Sequence, residues 1–131
     1  MRYLAVDPGG RSIGLAVGDD ETGVVSPLTV LRSGGARRAS GEIAATARRV
    51  GAERVVVGLP TTVDGEHTPA CRRSEVLAEA LRALGLEVEL QPEHLSTREA
   101  RRRAREAGLP ASAAVDHLAA QVILEDYLAG R

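Results

Sequence analysis

The hydrophobic period of this chain changes once, at Gly34-Gly35, and that change limits the folds open to it. Ahead of the glycines, apolar residues alternate with period two. Arg2 to Val6 reads as a strand, Ile13, Leu15 and Val17 mark a second, and a third lies near Val24 to Leu31. Pro8-Gly9-Gly10 and the Asp19 to Gly23 run supply tight turns, which makes the three an antiparallel meander. Beyond the glycines, helices and strands take turns. Ala39 to Val50 reads as a helix stopped by Gly51, and Arg54 to Val57 as a strand that is apolar after its first residue. Such a run suits a central strand buried on both faces. A polar loop from Leu59 to Thr68 leads to a helix over Pro69 to Leu84, with Thr68 as N-cap, proline at the first position and Gly85 just past the end. Glu87 to Leu90 reads as another strand. Ser96 and Glu99 form a capping box that opens a helix to about Ala107, and Pro110 starts a last helix to about Leu128. The order is βββ, then αβαβ, then αα. It implies one α/β domain over 1–131, a mixed five-stranded sheet (three antiparallel strands, then two further strands) flanked by helices.

Composition removes several classes of chemistry. A chain of 131 residues that is 44% apolar supports one buried core and is not a disordered polymer. No apolar run approaches the roughly 18 residues needed to cross a membrane, and Met1 to Val6 is too short for the apolar core of a signal peptide. With Cys71 as the lone cysteine, no internal disulfide can form, and the expected location is the cytoplasm. Every basic residue is arginine, so a phosphate-loop lysine and a Schiff-base lysine are both excluded. One cysteine and the widely spaced His67, His94 and His117 exclude the usual zinc clusters. Aromatic content is 2%, only Tyr3 and Tyr127, which argues against a platform on which bases stack. A net charge of −1 requires any basic surface to be local.

Three acids stand out by position. Asp7 closes the first strand before the glycine turn, Glu93 follows the last strand, and Asp116 shares helical spacing with Ala119, Ala120 and Ile123. A lone buried carboxylate is costly unless it is paired or bound to a cation. Converging acids raise one another's pKa, and a hard cation such as Mg²⁺ or Mn²⁺ relieves both costs. Singly, each has a plainer reading: a turn cap at Asp7, a surface acid at Glu93, an arginine pair at Asp116.

As a set they fall within a wider pattern. Asp7-Pro8-Gly9-Gly10-Arg11-Ser12-Ile13-Gly14, Val57-Gly58-Leu59-Pro60 with Asp64-Gly65, Glu93-His94-Leu95-Ser96-Thr97, and Val115-Asp116-His117-Leu118-Ala119-Ala120 together resemble the YqgF (RuvX) family, in family order and across nearly the whole chain. The resemblance implies an RNase H-like fold and places the family's catalytic, metal-binding acids on Asp7, Glu93 and Asp116. The family is described both as Holliday junction resolvases and as nucleases that process the 5′ end of pre-16S rRNA. Two departures are visible. Arg11-Ser12 stands where the family usually has a basic pair, and Pro92-Glu93-His94 where it has an Asp-Glu-Arg run. The second leaves Glu93 as the one acid at that place and His94 as a substitute for the arginine that clamps the phosphate.

The expected activity is therefore metal-dependent hydrolysis of phosphodiester bonds in structured nucleic acid. The expected cofactor is Mg²⁺ or Mn²⁺ in a two-metal site, the ions roughly 3.5–4 Å apart. Arg11, Thr61, His67 and His94 are candidate substrate contacts. So is the stripe Arg98, Arg101, Arg102 and Arg105, whose spacing puts all four on one helix face. A precursor RNA and a branched DNA both remain open as substrate, with RNA favoured by the resemblance. A resolvase that cuts two strands symmetrically would act as a homodimer. Two other classes compete. An actin-like phosphotransferase shares the aspartate-glycine hairpin but needs a second lobe. A nucleic-acid-binding module would need no acid on an apolar helix face.

Overall fold

The computed structural model describes residues 1–9, 12–32, 34–61, 69–93 and 111–130, the side chains of 69 and 111–117 excepted. Its strands are β1 (Arg2–Pro8), β2 (Ser12–Asp19), β3 (Val25–Arg32), β4 (Arg54–Pro60) and β5 (Val88–Glu93). Its helices are α1 (Ala36–Val50), α2 (Pro69–Ala83) and α3 (Ala111–Ala129). The strands form one sheet in the order β3-β2-β1-β4-β5. Tight turns make β1, β2 and β3 antiparallel neighbours. The passages through α1 and α2 return the chain to the same end of the sheet, so β4 and β5 run parallel to β1.

Strand alternation divides the core between two faces. On one, Leu4, Val6, Ile13, Leu15, Val55 and Val57 meet Ala39, Ile43 and Ala47 of α1 and Leu77, Ala78 and Leu81 of α2. On the other, Tyr3, Ala5, Ala16 and Val56 meet Ala120, Ile123, Leu124 and Tyr127 of α3. β1 and β4 are thus buried on both sides, as the apolar run at Val55 to Val57 predicts. β3 is an edge, and its Pro27 sits opposite Ala16 where the register slips, a position that tolerates the missing N–H.

Several boundaries differ from the sequence expectation. α1 begins at Ala36 rather than Ala39, because its Arg37 and Arg38 are exposed and hide the amphipathic signal. β4 continues through Leu59 and Pro60, residues expected in a loop, because β5 pairs with it to the end: Gly58 faces Gln91, Leu59 faces Pro92 and Pro60 faces Glu93. The same pairing extends β5, so Glu93 is its last residue and does not follow it. Gly51 and Gly85 end their helices with φ of 72° and 87°, the left-handed region that glycine enters without strain. The helix expected over Ser96 to Ala107 lies outside the described residues. Among those described, no helix is long and apolar enough to cross a membrane.

Candidate functional site

The carboxyl ends of β1, β4 and β5 come together on one edge of the sheet, where open α/β sheets place their sites. Asp7 is paired with Gly14 and has the parity of Tyr3 and Ala5, so it lies on the α3 face. Glu93 has the parity of Glu89, which stands opposite Val56, and so belongs to the same face. The two acids sit at the ends of strands separated by β4 alone. Asp7 and Glu93 are both half-buried, and Oε2 of Glu93 is shielded from solvent.

The course of α3 follows from what it touches. Its late residue Tyr127 packs edge-on against Tyr3, ring centres 5.5 Å apart at 61°. Arg54 at the start of β4 donates to the Tyr127 hydroxyl at 3.3 Å and pairs with Glu87 and Glu89, each at 3.1 Å. The hydrogen bonds to Tyr127 and Glu87 hold the Arg54 guanidinium protonated more firmly than usual. Burial raises the Tyr127 phenol above its ordinary value, with the Arg54 hydrogen bond acting against that rise. Four residues earlier in α3, Ile123 lies over Gly58, farther along β4. α3 therefore runs against the direction of β1 and β4, and its earlier turns lie toward their carboxyl ends. Position 116 belongs to those turns, about two helical turns before Ile123. The Asp116 side chain lies outside the described residues.

Close approach of α3 depends on glycine. A Cβ at Gly58 would stand 2.4 Å from Ile123 Cδ1, and one at Gly18 would stand 2.8 Å from Leu124 Cδ2. These spacer positions carry no chemistry and were not singled out as such by sequence reasoning. The available signal was a glycine inside a strand pattern, which marks close approach of another element. The turn after Asp7 is similarly constrained. Gly9 N–H donates to the Ser12 carbonyl at 3.0 Å, and a Cβ at Gly9 would fall 2.4 Å from that oxygen. The end of β4 is tied to α2 by Cys71 Sγ, which donates to the Pro60 carbonyl at 3.4 Å. Thr61 follows, half-buried, with its N–H on the Leu59 carbonyl at 2.9 Å.

Of the expected site residues, Asp7 and Glu93 share one face and one end of the sheet, with Thr61 at the same end. Arg11, His67, His94, Arg98, Arg101, Arg102 and Arg105 lie outside the described residues. Among the described residues no group of three or more His, Cys, Asp or Glu side chains is gathered closely enough to hold a metal ion. The donors that are described on the α3 face are carboxylates, hard oxygen ligands of the kind Mg²⁺ and Mn²⁺ prefer.

Comparison with known proteins bears on the whole chain. The profile of the family described as RuvX, Holliday junction resolvase, matches residues 1–130. A protein of Anaeromyxobacter sp. (strain Fw109-5), named "Putative pre-16S rRNA nuclease", is 44% identical over 135 residues, covering 100% of this chain and 98% of the relative. A protein of the same name from Chloroflexus aurantiacus (strain ATCC 29366 / DSM 635 / J-10-fl) is 39% identical, covering 98% and 86%. Among solved structures, Thermus thermophilus RuvC in complex with a Holliday junction substrate superposes with a TM-score of 0.58 at 19% identity, covering 99% of this chain and 96% of that one. The Fowlpox virus resolvase bound to its junction gives 0.57 at 10% identity, covering 98% and 99%. At such low identity the two structures speak for the fold alone.

Proposed function

This chain belongs to the RuvX family of Holliday junction resolvases and has its RNase H-like fold, and on that premise we propose that it is a metal-dependent nuclease whose substrate is the 5′ precursor segment of 16S rRNA. Pre-16S rRNA stands in the names of its relatives from Anaeromyxobacter and Chloroflexus, and the 5′ end is what the family resemblance implies. The observation that carries the site assignment is that Asp7 and Glu93 lie on one sheet face at the ends of β1 and β5, with β4 between them and the helix that carries Asp116 over the same face. On this reading the protein works in the cytoplasm.

Asp7, Glu93 and Asp116 would hold Mg²⁺ or Mn²⁺. When bound, the ions supply Lewis-acid stabilisation of the charge that builds on the reacting phosphate. The chain's own residues do the rest. The hydrogen bond from Gly9 N–H to the Ser12 carbonyl and the two-sided burial of β1 hold the Asp7 carboxylate in place. α3, clamped at its far end by Tyr3, Tyr127 and Arg54, holds position 116 over the same edge. Without lysine, and with no recognisable serine–histidine or cysteine–histidine pair in the sequence, water is the nucleophile. In-line attack on phosphorus breaks the bond to the 3′ oxygen and leaves a 5′-phosphate and a 3′-hydroxyl.

The test is cleavage of a panel: a 5′-extended 16S rRNA precursor, single-stranded DNA and a four-way DNA junction, each in Mg²⁺ and in Mn²⁺. Preferential cleavage of the precursor, lost in EDTA, is expected. Asp7→Asn should lower the rate roughly a thousandfold, since metal-assisted stabilisation is worth several kcal/mol and each ~1.4 kcal/mol is tenfold. Junction cleavage with an intact precursor would reassign the substrate. Full activity in EDTA would remove the metal, and an Asp7→Asn rate within about tenfold of wild type would remove Asp7.

A further inference from the structure

The opposite face of the sheet carries a second feature at the same edge. A groove of about 310 Å³ is floored by Pro8, Gly9 and Ile13 and walled by Ala36 of α1 and Arg73 and Val76 of α2. Its floor is the turn that follows Asp7. Apart from Arg73 its described lining is apolar, and Val76 is 41% exposed. The volume is at the low end for small-ligand sites, too small for a duplex and suited to a single nucleotide unit.

Arg73 is the charged residue among the described lining, and Arg37 and Arg72 stand beside it only as neighbours in the two helix starts that border the groove. Arg37 lies in the first turn of α1 and Arg72 in that of α2, while Arg73 follows directly; neither first turn holds an acid. Cations at a helix amino end oppose the macrodipole. All three arginines are exposed, and none is in an ion pair among the described residues. Arg38, by contrast, pairs with Glu42 at 3.5 Å, and Arg82 with Glu79 at 3.1 Å. Arg48 and Arg49 occupy the last turn of α1, where a cation is favourable. A cation without an ion pair among the described residues, lining an otherwise apolar groove, is complementary to a polyanion with an apolar part.

We infer that this groove binds an unpaired nucleotide of the substrate, its base against the apolar lining and a flanking phosphate on Arg73. The inference rests on the nuclease reading and adds a second contact surface to it. A strand held there would cross the Pro8-Gly9 turn to reach the acids on the α3 face. Substrates with an unpaired tail beside the cleaved bond would then be favoured over blunt duplexes.

The experiment measures binding, separately from cleavage. Fluorescence anisotropy in EDTA compares a short RNA duplex with and without an unpaired 5′ tail, across a range of salt. The wild type should bind the tailed RNA more tightly, with the steeper salt dependence. Arg73→Ala should flatten the log–log slope for the tailed RNA by roughly 0.7, the value for one single-strand phosphate contact, and leave the blunt duplex unchanged. Val76→Glu should weaken the tailed RNA by roughly tenfold or more through like-charge repulsion. Urea midpoints equal to wild type would show that the variants fold. A tail effect with no cleavage in either metal would uphold the groove and overturn the nuclease reading. Tailed and blunt RNA bound equally, or a slope unchanged in Arg73→Ala, would overturn the groove even if the enzyme cleaves.

Discussion

Gly58→Ala tests the link between packing and activity. The added Cβ would lie 2.4 Å from Ile123 Cδ1 and 3.2 Å from Cγ1. Carbon atoms in contact sit about 3.5–4.0 Å apart, so roughly 1 Å must be found. Ile123 is 2% exposed, so its Cδ1 must turn within the packed core or α3 must yield. Overpacking of this kind costs about 1–3 kcal/mol. With a urea m-value of ~1.5 kcal/mol/M, a loss of ~2 kcal/mol lowers the unfolding midpoint by ~1.3 M. A displacement of α3 moves Asp116 with it, and about 1 Å at a reacting centre can cost on the order of a hundredfold in rate. Ile123→Val removes the colliding Cδ1. It should cost about 0.5–1.5 kcal/mol alone and nothing, or less than nothing, in the Gly58→Ala background, a coupling of roughly 1 kcal/mol or more. Urea denaturation and precursor cleavage on the four proteins of the cycle read both effects. A Gly58→Ala midpoint equal to wild type, with Ile123→Val equally costly in both backgrounds, would refute the argument that glycine seats α3 on the sheet.

Other outcomes follow from the same geometry. Gly9→Ala should be at least as damaging to cleavage as Gly58→Ala, because the atom it meets at 2.4 Å is the Ser12 backbone oxygen, which cannot rotate away; a fully active Gly9→Ala would show that the turn does not position Asp7. Asp116→Asn should weaken metal binding and cleavage together, read by calorimetry and precursor cleavage, whereas a loss of activity at unchanged metal affinity would move Asp116 out of the metal site. Burial raises the Tyr127 pKa above its ordinary 10.0. The neutral phenol is thus favoured in the folded state, and its stabilisation is complete below the unfolded pKa and declines as pH rises through the folded one. Wild-type stability should therefore fall above about pH 10 more steeply than that of Tyr127→Phe; parallel urea-midpoint profiles would contradict this.

Much of the fold was legible because it rests on local patterns. Alternation with period two, the punctuating glycines and the apolar run at Val55 to Val57 gave the five strands, and the change at Gly34-Gly35 separated the meander from the helix–strand part. Boundaries failed where a partner decides them. Leu59 and Pro60 look like loop residues, and β5 makes them strand. Arg37 and Arg38 look like a break, and α1 begins before them. The acids Asp7 and Glu93 could be chosen from sequence since each is an acid at a strand end, a position readable from the chain alone.

What the sequence determined by itself is the inventory: strands and helices in order, a chain with no lysine, two acids at strand ends and a third within the last helix. Each of these is set by bonding and side-chain preference within a few residues. Only the tertiary structure decided that Asp7 and Glu93 face the same side, that α3 runs back over them, that Gly58 and Gly18 admit it, and that Arg73 lines a groove behind the Asp7 turn. Those facts depend on sheet order and register. Both are fixed by pairings and burial between residues far apart in the chain, which no local pattern records.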